Sequence, residues 1–254
     1  MKKWIVAAVA GLGMLTAANV QAKPVRIGTE AAYAPFEFKD ASGELKGLEI
    51  ELGNAMCKSA KIECVWVNMD FDSLIAALNA KKIDAVFSQM SITDERKQSV
   101  AFTDMITKAP AQLIAKVGSG LTDDPATLKG KTIGVQSGTT HERYANEKLK
   151  SVATIKVYQS QDEAYLELQS GRIDATLCDQ TLGFDWLSKE GKKDGFDFAG
   201  KVIDDPAIFG EGTGIAVRKD DAALRGQFNK ALAAVLKDGT FKKINDAYFP
   251  FSLR

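Results

Sequence analysis

Residues 73–89, SLIAALNAKKIDAVFSQ, and residues 163–179, EAYLELQSGRIDATLCD, carry one pattern twice. Each runs as an amphipathic helical stretch, a basic residue, then Ile-Asp-Ala opening a short apolar strand. In this alignment Ser88 matches Cys178 and Gln89 matches Asp179. A second pair lies upstream of each copy: VRIGTEAAYAPF from Val25 and KTIGVQSGTTHERYA from Lys131 both run strand, Ile-Gly, then a polar turn. The separations differ, 106 residues for the Ile-Gly pair and 90 for the Ile-Asp-Ala pair, so the relation is pseudo-symmetry rather than a tandem repeat.

Around these anchors the periodicity alternates. VRIGTE is strand-like, LEIELGNAMCKSA helical, IECVWV strand-like, FDSLIAALNAKK helical and IDAVFSQ strand-like; the same order restarts at KTIGVQSG and ends at IDATLCD. Such alternation predicts parallel α/β layers. The fold class expected is therefore α/β and two-lobed, each lobe a mostly parallel sheet flanked by helices. After FGEGTGIAVRKDD comes a helical tail too short for a third domain, which should pack back on the first lobe. That gives two chain crossings, near 107–112 and 205–213, and the division 1–22 leader, 23–109 first lobe, 110–209 second lobe, 210–254 return to the first.

The leader is read from Lys2 and Lys3, an apolar run from Trp4 to Val20 and the small-residue site before Lys23. This is the layout of a cleaved secretory signal. As a membrane anchor it is interrupted by Gly11, Gly13, Thr16 and Asn19 and is shorter than the roughly 20 apolar residues a span needs. Its loss removes two lysines from a chain with 33 basic and 33 acidic residues. A near-neutral protein gives no reason to expect nucleic acid or an anionic membrane as partner. Export places the cysteines where disulfides persist. Cys57, late in a helical pattern, and Cys64, in the next strand, read as a helix-to-strand staple, the alternative being two buried thiols. Cys178, within an apolar strand, reads as a small core residue. A single histidine and no Cys/His spacing argue against a structural metal site, and no cofactor motif is present; SGTT lacks the phosphate-loop pattern.

In open α/β sheets ligands bind beyond the carboxyl ends of strands. The residues leaving those ends are Glu30 and Tyr33, Phe71, the run Ser88, Gln89, Met90 and Ser91, the run from Gln136 through Thr139 and Thr140 to His141, and Asp179. Hydroxyls, aromatic rings and acids together suit an amphoteric small molecule. Thr93, Asp94 and Glu95 are helix-starting residues, so Arg96 sits in a first turn, where the macrodipole disfavours a cation. It needs an anion, either a neighbouring acid or a ligand carboxylate.

RIGTEAAYAPFEF, GLEIELGNAMC, WVNMDFDSLIAAL, KKIDAVFSQMSITDERK, KGKTIGVQSGTTHERY, GRIDATLCD and FGEGTGIAVRKDD together resemble the polar-amino-acid family of periplasmic binding proteins that serve ABC importers, nearest its arginine and lysine/arginine/ornithine branch. The resemblance covers the chain beyond the leader. It implies a monomer in the periplasm, not an enzyme, that delivers a free cationic L-amino acid to an inner-membrane permease complex. It also implies that Arg96 grips the α-carboxylate with Thr140 and Ser91, that Asp179 pairs with the α-ammonium beside Ser88, and that Tyr33 and Phe71 sandwich the ligand side chain. Glu30 and Glu49 fall where that branch has acids reaching the distal cation. Several relatives have Asp at both places and Ser or Gly in place of Gln89, which changes the pocket's depth. Arginine is the ligand favoured, with lysine, ornithine and histidine open. Two other readings stand beside this one: an exported dehydratase-like enzyme using His141 as acid or base, and the sensory module of a receptor.

Overall fold

The computed structural model describes residues 23–108 and 110–254 of the chain; the expected leader, residues 1–22, lies outside them. From the N-terminal side come strands β1 (Val25–Thr29), β2 (Ala32–Tyr33), β3 (Glu37–Lys39) and β4 (Leu45–Lys46), helix α1 (Leu48–Ala60), β5 (Cys64–Asn68), α2 (Leu74–Asn79), β6 (Ala85–Val86), α3 (Asp94–Lys97) and β7 (Ala101–Phe102). Then follow β8 (Ala111–Lys116), β9 (Thr132–Gln136), α4 (Thr140–Tyr144), β10 (Thr154–Tyr158), α5 (Gln161–Gln169), β11 (Ala175–Asp179), α6 (Gln180–Trp186), β12 (Phe196–Ile203) and α7 (Pro206–Phe209). The chain closes with β13 (Ala216–Val217), α8 (Ala222–Lys237) and α9 (Thr240–Tyr248).

Two five-stranded sheets result, ordered β5-β1-β6-β13-β7 and β10-β9-β11-β8-β12. In each the first three strands are parallel, and the fourth runs antiparallel to both its neighbours. The fourth strands, β13 and β8, are the ones that follow the crossings. Beside them Thr107 and Thr213 pair as an isolated bridge, Thr213 donating its N–H to the Thr107 carbonyl at 2.8 Å.

The repeated motifs do the same work in both lobes. Ile27 pairs with Ala85 and Ile133 with Ala175, so the register is identical. Asp84 accepts from the Arg26 N–H at 3.1 Å, and Asp174 from the Thr132 N–H at 2.8 Å. Gly28 and Gly134 are glycines because the isoleucine of Ile-Asp-Ala fills the space above them. A Cβ there would lie 2.4 Å from the Ile83 Cδ1 and 2.5 Å from the Ile173 Cδ1.

Helix α8 buries Leu224, Phe228, Ala231, Leu232 and Val235, one stripe at helical spacing, and Asp221 caps its first turn by accepting from the Leu224 N–H at 3.1 Å. That stripe packs on α1, which returns the tail to the first sheet. Cys57 of α1 and Cys64 of β5 form a disulfide. Closing so short a loop stabilises the fold by about 2 kcal/mol. Unreduced peptide mapping should return Cys57 and Cys64 joined; two alkylated thiols at those positions would count against the staple. Cys178 is buried, and burial pushes its thiol up to about 12, which makes it inert.

Candidate functional site

Every carboxyl end of the six parallel strands faces the gap between the sheets, and the loops leaving them meet there. One cavity is lined by Tyr33, Phe71, Ser88, Gln89, Ser91, Arg96, Gln136, Thr139, Thr140, His141 and Asp179. All eleven were drawn from the sequence. The remaining three lie behind this wall. Met90 packs among Leu74, Val86 and Ile92 in the first lobe's core. Glu30 turns onto Gln136, whose Nε2 donates to both carboxylate oxygens at 2.8 and 2.7 Å. Glu49 opens α1 fully buried and accepts from the Gln89 N–H at 2.8 Å.

Local structure fixes the lining groups. Thr93 caps α3 by accepting from the Arg96 N–H at 3.2 Å, which leaves the guanidinium to reach outward. It donates to the Ser91 carbonyl and, across the gap, to the Gly138 carbonyl, each at 3.0 Å, and lies 5.4 Å over the Phe71 ring. Burial lowers its pKa to about 10, offset in part by Glu95 and Asp179, so it stays charged at neutral pH. Thr139 caps α4 by accepting from Glu142 N–H at 3.1 Å and donates to the Gln136 carbonyl at 2.7 Å. This pins the turn that carries Thr140 and His141. Asp179 ends β11; its Oδ2 accepts from the Tyr33 hydroxyl at 2.7 Å, and its Oδ1 lies 3.1 Å from the His141 Nε2, close but off the line of a hydrogen bond.

The lobes are shut on one another. Tyr33 to Asp179, Gln136 to Glu30, Arg96 to Gly138 and Ser137 to Asp72 at 3.0 Å all bridge the two sheets. The cavity left has a volume of about 10 Å³, close to what one water needs. Anything larger than a water therefore enters only when the lobes part, which breaks the Tyr33–Asp179 bond.

Behind the wall sits an acid, Glu37, that the sequence reading did not single out. It is almost fully buried and accepts from the Ser88 hydroxyl at 2.9 Å, and Ser88 in turn accepts from the Glu30 N–H at 3.0 Å. Burial, reinforced by Glu49, pushes the Glu37 carboxyl well above its usual range. Burial likewise raises Glu49 to about 8 and, against the Gln136 hydrogen bond, Glu30 to about 7. The lining thus sets the Arg96 guanidinium and the Asp179 carboxyl, from opposite lobes, in one cavity, backed by three buried carboxyls whose ionised forms burial disfavours.

Comparison with known proteins bears on the family and the fold. Residues 25–251 match the family model of bacterial extracellular solute-binding proteins, family 3. The chain is 45% identical over its whole length to 99% of the lysine/arginine/ornithine-binding periplasmic protein of Escherichia coli (strain K12). It is 44% identical, again over its whole length, to 98% of the L-arginine-binding protein of Pseudomonas aeruginosa. Among solved structures, a Salmonella typhimurium periplasmic binding protein described for high arginine specificity superposes with TM-score 0.83 at 35% identity, over 90% of this chain and all of that one. An ancestral arginine-binding protein bound to arginine superposes with TM-score 0.83 at 37% identity, over 90% of this chain and 99% of the other.

Proposed function

The chain belongs to family 3 of the bacterial extracellular solute-binding proteins, and from that premise we propose that it is the periplasmic substrate-binding component of an ABC importer, carrying a cationic L-amino acid, arginine foremost. The observation that carries this reading is that Arg96 and Asp179, opposite charges from opposite lobes, line one cavity. A free amino acid offers the matching pair, carboxylate to Arg96 and ammonium to Asp179. Two-pronged guanidinium–carboxylate contact gives orientation as well as strength.

The side chain of the ligand sets the choice among amino acids. Four carboxyls, Asp179, Glu30, Glu37 and Glu49, stand in or behind the wall; burial favours the protonated forms of the three glutamates, and a cationic tail draws out their ionised forms. The Phe71 ring already carries one guanidinium, that of Arg96, and a flat aromatic wall suits a planar guanidinium better than a rounded ammonium. Arginine is therefore placed ahead of ornithine, lysine and histidine. In this reading residues 1–22 are removed on export, residues 23–109 and 210–254 form one lobe and 110–209 the other, and a monomer hands its ligand to an inner-membrane permease. It does no chemistry on that ligand.

The test is a thermal-shift panel of the twenty amino acids plus ornithine, run on protein unfolded and refolded to strip carried ligand. A ligand bound by the folded state alone raises Tm, by about 2.7 kcal/mol of stabilisation at a hundredfold excess over Kd. Arginine should give the largest shift. A panel in which only acidic or aliphatic amino acids act would sink the proposal, and turnover of a bound compound would move the protein to the enzymes.

A further inference from the structure

Gln89 is where the cavity touches the two chain crossings. Its φ of 41° lies in the left-handed region, uncommon for a residue other than glycine, and its N–H is held by the Glu49 carboxylate. Its side-chain Oε1 accepts from the Thr107 hydroxyl at 3.1 Å. The Thr107 hydroxyl in turn lies 2.7 Å from that of Thr213. Thr107 and Thr213 sit on different crossings, both fully buried, and neither lines the cavity.

A hydroxyl has one hydrogen to give. Thr107 gives its own to Gln89 Oε1, so the bond between the two threonines is filled by the Thr213 hydrogen, and the chain of donors runs one way, from Thr213 through Thr107 to Gln89. An amide fixed at its oxygen presents its nitrogen in a fixed direction. That nitrogen, Nε2, has no partner among the described residues, although Gln89 is only 5% exposed and lines the cavity. Leaving a buried donor unpaired is costly, and an acceptor supplied by a ligand relieves it. The acceptor an amino acid brings is an oxygen of its carboxylate.

We propose that Thr107 and Thr213 are positioning residues of the ligand site: their paired hydroxyls, one from each crossing, hold the Gln89 amide so that Nε2 meets an oxygen of the bound amino acid. The inference rests on reading the cavity as an amino-acid site. Its consequence is that a filled pocket and a correctly paired hinge support one another, since the same amide is bonded to both. Closure around ligand then satisfies a donor that closure by itself leaves bare.

A double-mutant cycle on the full exported chain, titrated with arginine by calorimetry, tests this. Thr107→Val keeps the shape and removes the donor; it should weaken arginine about tenfold, while Thr107→Ser, which restores the hydroxyl, should return affinity to within about twofold. Gln89→Ala should weaken arginine similarly, and Thr107→Val added to it should change little more, because the hydroxyl then has nothing to position. Thr213→Val gives a second, independent route through the same cycle should the first variant fold poorly. An equal loss from Thr107→Val with and without Gln89, or no loss at all in a wild-type background that binds, overturns the proposal. Wild-type protein that ignores arginine and the other cationic amino acids is a different failure, that of the functional reading; the cycle is then run with whichever amino acid raises Tm, and the same non-additivity decides it.

Discussion

Arg96→Ala is expected to raise the Kd for arginine by about two to four orders of magnitude, the roughly 3–5 kcal/mol lost when one partner of a buried charge pair is removed. The guanidinium is spread over three supports: the Ser91 carbonyl of its own lobe, the Gly138 carbonyl of the other, and the Phe71 face beneath. That arrangement holds its plane still, leaving further N–H groups for a carboxylate. Removing it strands the ligand carboxylate in the closed cavity with no cation to offset it. Arg96→Lys keeps the charge but not the fork and should recover only part of the loss. The fold is expected to survive both changes, since the α3 cap uses the Arg96 backbone N–H rather than its side chain. Calorimetry reads the affinity, and circular dichroism of ligand-free protein reads the fold. A folded Arg96→Ala protein within tenfold of wild-type affinity would take Arg96 out of the site.

How much of this was legible in the sequence depends on what backbone position alone can settle. The Ile-Gly and Ile-Asp-Ala pairs gave the two lobes, because each glycine is matched to the isoleucine that covers it and each aspartate to a backbone N–H of the adjoining strand. The strand-end rule then gave ten of the eleven cavity residues, because carboxyl ends converge wherever two parallel sheets face one another, and the helix start at Thr93 gave the other, Arg96. That rule locates a Cα and leaves the side chain's reach undecided. Glu30 leaves β1 at the expected place yet is drawn onto Gln136, and Glu49 is drawn beneath Gln89 by that residue's N–H. Met90 lies between two lining residues but turns into the core, as pairing with the next strand requires. The antiparallel fourth strands, β8 and β13, escaped the periodicity because the alternation of helix and strand says nothing of direction once the chain has crossed. Glu37, between two phenylalanines, carries no signal in the sequence that sets it apart, and only the Ser88 hydroxyl against it marks its place behind the cavity.

Affinity for a cationic amino acid is expected to fall by up to about tenfold as pH drops from 8 to 6, with binding releasing protons to solvent. Burial is the main cause that lifts Glu30 to about 7, opposed by the Gln136 amide and reinforced by Asp162, Asp70 and Asp72. Burial likewise lifts Glu49 to about 8. A cation arriving in the cavity favours the ionised forms, so each carboxyl has a lower pKa in the complex than in the ligand-free protein. Below about 7 the free protein holds a proton on Glu30 that the complex has surrendered, and every unit of acidity then weakens binding; well above 7 Glu30 is ionised in both forms and its share of the dependence fades. Calorimetry at pH 6, 7 and 8 in two buffers of different ionisation enthalpy counts the protons directly. Glu30→Gln should flatten the profile and weaken arginine more than any neutral ligand, while proton uptake, or an affinity level across that range, would show that no cation reaches the acids. In the ligand-free protein the same shift has the opposite effect on stability. Glu30 titrates near 4.5 in an unfolded chain and about 7 in the folded one, so the folded state holds the extra proton and loses stability as pH rises between those values. Arginine restores what ionisation removes, which makes its thermal shift larger at pH 8 than at pH 6.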